Sequence, residues 1–162
     1  MTRDEIFDDL EQMWTERDPV PDGLVERMQA LAAAEVTLSA TDLDYELMLL
    51  VERSTELVGT RGTNTAYTLR FGGDNLDLLV RAGGGNGGPT SRLDGWIVPP
   101  ATITVRATRI DSAGSGEGES YETQVDDRGR FEFPDLPVGL YRLWLTPADV
   151  DAKPFATPAF EI

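Results

Sequence analysis

Residues 123–145, TQVDDRGRFEFPDLPVGLYRLWL, constrain the fold more than any other part of the chain. Phe131 and Phe133 alternate with charged neighbours, as on a strand with one face buried. Pro134, Asp135, Leu136, Pro137 and Gly139 then break the run. Tyr141, Leu143 and Leu145 resume the alternation, with Arg142 and Trp144 between them. Period two, a turn and period two again predict an antiparallel hairpin. Leu143 and Leu145 face the core in this reading, which sends Trp144 to the opposite face. Phe131, Phe133, Tyr141, Leu143, Leu145, Ile103 and Val105 are the expected core.

The pattern Asp-x-x-Gly-x-Phe-x-Phe followed by Pro-x-Gly-x-Tyr-x-Leu resembles the carboxypeptidase regulatory-like domain, a small prealbumin-like β-sandwich. The resemblance implies a non-catalytic holder. Some prealbumin-like proteins are hydrolases that need histidine, and this chain has none. Others form a Lys–Asn bond, but the only lysine, Lys153, stands beside the last expected strand.

The chain has 162 residues, enough to bury roughly two-thirds of its unfolded surface without a covalent staple. Lacking cysteine and histidine, it has no disulfide, no thiolate and no imidazole for general-base or metal chemistry. No apolar run nears the ~18 residues that span a bilayer. The acidic start, MTRDEIFDDLEQ, is unlike a leader peptide, so a cytoplasmic protein is expected. Net charge is -15. Residues 1–60 hold 15 acids and 4 bases, and residues 61–162 hold 14 acids and 10 bases. Such a surface repels nucleic acid and anionic lipid and attracts basic protein.

Three segments follow from the pattern: an acidic helical segment at 1–40, an antiparallel meander with a glycine-rich linker at 41–90, and the sandwich at 91–162. Thr2-Arg3-Asp4-Glu5 is a capping box. Ile6, Phe7, Leu10, Met13 and Trp14 follow at helical spacing. Asp18-Pro19-Val20-Pro21 ends the helix in a stiff elbow. Asp22 precedes a second helix carrying Leu24, Val25, Met28, Leu31 and Ala32, which runs to about residue 35.

Periodicity leaves 42–55 open between helix and strand. We read a turn near Asp42 and a strand from 45 to about 55. Strands at 67–71 and 76–80 complete a three-stranded meander. Gly83-Gly84-Gly85-Asn86-Gly87-Gly88-Pro89 is the linker, with no Lys-Ser or Lys-Thr after it to make a phosphate loop. Six strands are expected over 92–162, closing with 157–162, and 111–120 reads as a mobile acidic loop. The expected class is α+β, mainly β.

The carboxylate pairs Asp126-Asp127 and Asp149/Asp151 lack the frame of a calcium loop, and Asp126 to Gly129 spells a turn. No catalytic residue, metal or cofactor is assigned. The sequence also resembles small actinobacterial proteins associated with alternative sigma factors, through Met13-Trp14, residues 18–28, 93–100 and 129–143. That resemblance implies a non-enzymatic regulator whose acidic helices hold a basic partner in an anti-sigma manner. Phe7, Leu10, Met13, Trp14, Leu24 and Met28 would be the anchors. In that resemblance the gene neighbours sometimes include a caspase-like protease; separately, the glycine-rich linker would offer a partner protease a cutting site. Two alternatives stand beside this: a sandwich binding sugar or peptide through Trp96 and Trp144, and an accessory subunit that stabilises an enzyme.

Overall fold

The computed structural model describes residues 2–39, 44–57, 65–83, 88–110 and 117–162. The expected turn near Asp42, the centre of the glycine-rich stretch at 84–87 and the first part of the expected acidic loop at 111–116 lie outside the described residues. The fold is mainly β, with two helices and sheets of antiparallel and mixed pairing.

Helix α1 spans Arg3–Arg17 and α2 spans Leu24–Ser39, beyond the expected end near residue 35. The Thr2 hydroxyl accepts the Glu5 amide, while the Glu5 carboxylate accepts the Thr2 amide at 2.6 Å. This reciprocal cap satisfies two of the orphan donors at the helix start.

The first sheet contains β2 (Leu49–Leu57), β3 (Thr65–Gly72), β4 (Asp77–Gly83), β5 (Thr90–Val98) and β8 (Arg130–Pro137), in the order β2-β3-β4-β5-β8. β4 and β5 pair from Asp77↔Val98 to Gly83↔Arg92. The sheet therefore runs straight through position 90/91, where the sequence suggests a boundary. The second sheet contains β1 (Glu46–Leu47), β6 (Ile103–Ile110), β7 (Glu117–Gln124), β9 (Leu140–Pro147), β10 (Phe155–Ala156) and β11 (Phe160–Glu161). β9 pairs β6 on one side and both β10 and β11 on the other, while β1 adds to β10 in parallel.

One apolar cluster draws on both sheets: Phe71, Leu78, Leu93 and Phe133 from the first, with Val105, Tyr141 and Leu143 from the second. All seven residues expected in the core are buried in this cluster. Alternation along β4, β5 and β8 gives each strand one buried face, which dictates this arrangement. Tyr141 keeps its phenol in the core by donating to the Pro137 carbonyl at 2.8 Å.

Several local expectations are corrected. β8 and β9 are not a hairpin: β8 pairs β5, and β9 pairs β6 in the other sheet. The break at Val138-Gly139 carries the chain across the core, so the two strands contribute to one cluster from opposite sheets. Period-two patterning is identical in both geometries. The strand expected from 45 to 55 is divided at Met48, which is fully buried; β1 before it and β2 after it belong to different sheets. β7 starts at Glu117, so 117–120 is strand rather than loop.

The closing strand is also broken. Between β10 and β11 the Thr157 hydroxyl accepts the Leu143 amide at 3.0 Å, and the Thr157 amide donates to the Leu143 carbonyl at 3.0 Å. Pro158 follows and brings no amide of its own.

Candidate functional site

No side chain of α1 is buried. Its apolar stripe, Ile6, Phe7, Leu10, Met13 and Trp14, is exposed throughout, with Trp14 61 % and Phe7 54 % accessible. Spacings of one, three and four residues put the five on one side of the helix. Asp4, Glu5, Asp8, Asp9, Glu11 and Glu16 share the helix with two bases, Arg3 and Arg17. The Arg3 guanidinium lies 5.5 Å from the Phe7 ring centre. An apolar stripe in water gains nothing until something covers it, so its placement on a solvated acidic helix is the most unusual feature of the molecule.

α2 is held differently. Its Arg27 lies 3.5 Å from Glu161 on β11, and Glu35 accepts from the buried Arg142 of β9 at 2.8 Å. Arg142 also donates through Nε to the Thr157 carbonyl at 3.0 Å. Burial pushes the Arg142 guanidinium below its usual range, and Glu35 beside it works the other way. Ala30 is buried and Leu24 half-buried, while Met28 is 61 % exposed. The six expected anchors are therefore divided. Phe7, Leu10, Met13 and Trp14 stand together on α1. Leu24 and Met28 on α2 line a groove beside the sheets.

The two tryptophans do not converge. Trp144 faces away from the inter-sheet cluster, as its parity with Leu143 and Leu145 requires, and is only 7 % exposed. Tyr45 covers it edge-on at 5.5 Å. Trp96 lies on β5 in the other sheet, with the Arg130 guanidinium 6.0 Å from its ring centre. Around it, Asp94 accepts from Arg92 at 2.9 Å and from Arg130 at 3.2 Å.

The carboxylate pairs are used by turns. Asp126 Oδ1 accepts the amides of Arg128 and Arg130 at 2.9 and 2.8 Å. Gly129 has a φ of +82°, a left-handed conformation suited to glycine. Asp149 Oδ1 accepts the Asp151 amide at 3.0 Å. Among the described residues no three carboxylates gather as a metal site would need, and no helix is long and apolar enough to cross a membrane.

No family model, curated protein or solved structure matches the chain. The sequence signals α1 through its cap and stripe. It gives no signal for the groove beside α2, because α2, the β2–β3 pair and β11 are far apart in the chain and meet only in the fold.

Proposed function

We propose that this chain is a non-enzymatic cytoplasmic adaptor in which α1 docks on the basic surface of a protein partner. The partner class is an alternative sigma factor, held in an anti-sigma manner. The two sheets act as a carboxypeptidase regulatory-like sandwich that carries the helix, and the Asp18–Pro21 elbow sets it apart. The single observation that supports this reading is the exposed stripe of α1 on an acidic helix.

The division of labour follows from the side chains. Phe7, Leu10, Met13 and Trp14 would insert into an apolar groove and fix register, as amphipathic helices do in partner grooves. The surrounding acids would steer encounter and select basic partners over nucleic acid. In this role the chain carries out no reaction and needs no metal or cofactor.

The test is binding of the full-length chain to a purified alternative sigma factor from the same organism. Trp14→Ala should weaken binding at least tenfold, mainly through faster dissociation. Raising salt should mainly slow association, because exposed charges are screened beyond about 8–10 Å near physiological ionic strength. Equal binding by wild type and Trp14→Ala would reject α1 as the interface.

A further inference from the structure

Between α2, the edge of the first sheet and β11 lies a groove of about 220 Å³. That exceeds an engineered apolar cavity of about 150 Å³ known to take benzene. Leu24, Met28 and Leu31 face it from one side of α2, and Leu69, Phe71 and Phe160 from the sheets. The helix lies over the cleft without filling it, since Met28 and Leu31 remain exposed.

The polar groups of the groove are few and specific. Tyr67 lines it, and its hydroxyl is buried with no hydrogen-bond partner among the described residues. A buried unpaired hydroxyl costs about 1–3 kcal/mol, which a hydrogen-bonding ligand would recover. Arg53 pairs in register with the buried Leu69, which turns it toward the same side of the sheet, and its guanidinium lies 5.3 Å from the Tyr67 ring centre. Among the described residues the charged groups lining the groove are Arg27, Arg53 and Glu161, a local balance of +1 in a chain of -15. Burial pushes the Tyr67 pKa up to about 12, with Glu161 adding to the rise and Arg53 opposing it, and the phenol is a hydrogen-bond donor at neutral pH.

We propose that this groove binds a small amphiphile, an apolar chain ending in a carboxylate, with the Tyr67 hydroxyl and the Arg53 guanidinium receiving the head group. The apolar residues of α2 and the sheets enclose the chain. Arg27 lies 3.5 Å from Glu161, while Arg53 stands over the Tyr67 ring, which makes Arg53 the cation for the ligand. This site is separate from α1 and stands or falls independently of the partner reading.

Decanoate, below its micelle concentration, is the probe, titrated calorimetrically into the full-length protein. Saturable 1:1 binding is expected, at least tenfold tighter than for decanol, with none for decyltrimethylammonium. Tyr67→Phe and Arg53→Gln should each weaken decanoate about tenfold, the loss of one hydrogen bond or charge contact. Tyr67→Phe should do so without lowering the melting temperature of the free protein, because it removes an unpaired buried hydroxyl. A purely structural tyrosine would not separate affinity from stability in this way. Absence of 1:1 binding, equal binding of the cationic analogue, or wild-type affinity in both variants would overturn the proposal.

Discussion

Gly95 shows how one missing Cβ shapes the core. A Cβ at this position would lie 2.0 Å from the Phe131 ring, which packs across the strand where the glycine leaves room. Gly95→Ala should therefore displace Phe131 and destabilise the fold by about 1–3 kcal/mol, measured by urea unfolding. Phe133→Ala, a cavity in the shared cluster, should cost about 3–5 kcal/mol. The acid response also belongs to single residues. Partial burial raises the Asp94 pKa, but hydrogen bonds from Arg92 and Arg130 outweigh it and hold the carboxyl below its usual range. The Arg130 amide, with that of Arg128, holds Asp126 low as well. A carboxyl whose folded pKa is depressed stabilises the fold above its unfolded value, near 4, and loses that contribution as pH falls through the folded value. Unfolding midpoints should fall as pH drops below about 4, and Asp94→Asn should flatten part of that slope.

At the scale of elements, two ion pairs among the described residues tie α2 to the sheets with unequal weight. Arg27 and Glu161 are both exposed and contribute little. Glu35 faces a buried guanidinium, and its removal leaves that charge less compensated. Glu35→Gln should lower stability by about 1–3 kcal/mol and raise hydrogen exchange along α2. The helices were legible because their signals are local: a capping box at Thr2 and a stripe at helical spacing. Strand existence was legible from alternation at Phe131, Phe133, Tyr141 and Leu143. Strand partnership was not. Alternation states which face is buried and is silent on whether the next strand pairs beside it or lies across the core. Met48 hid a change of sheet inside one apolar run, and Thr157 replaced a ladder bond with a side chain. The groove at Tyr67 was invisible for the same reason, since its walls meet only in the fold.

At the scale of the whole molecule, charge and apolar exposure are both concentrated at the start of the chain. Residues 1–60 carry a net -11 of the total -15, and α1 adds an exposed stripe to that charge. Stability and binding should therefore separate cleanly. Because Phe7 and Trp14 make no buried contact with the sheets, Phe7→Ala and Trp14→Ala should change unfolding stability by no more than about 0.5 kcal/mol. The same variants should cripple docking if α1 is the interaction element. The most direct measurement is the dissociation rate of the full-length chain from a purified alternative sigma factor, compared between wild type and the Phe7→Ala/Trp14→Ala double variant. The double variant should dissociate at least tenfold faster with an unchanged melting temperature. Identical dissociation rates in the two proteins would contradict it.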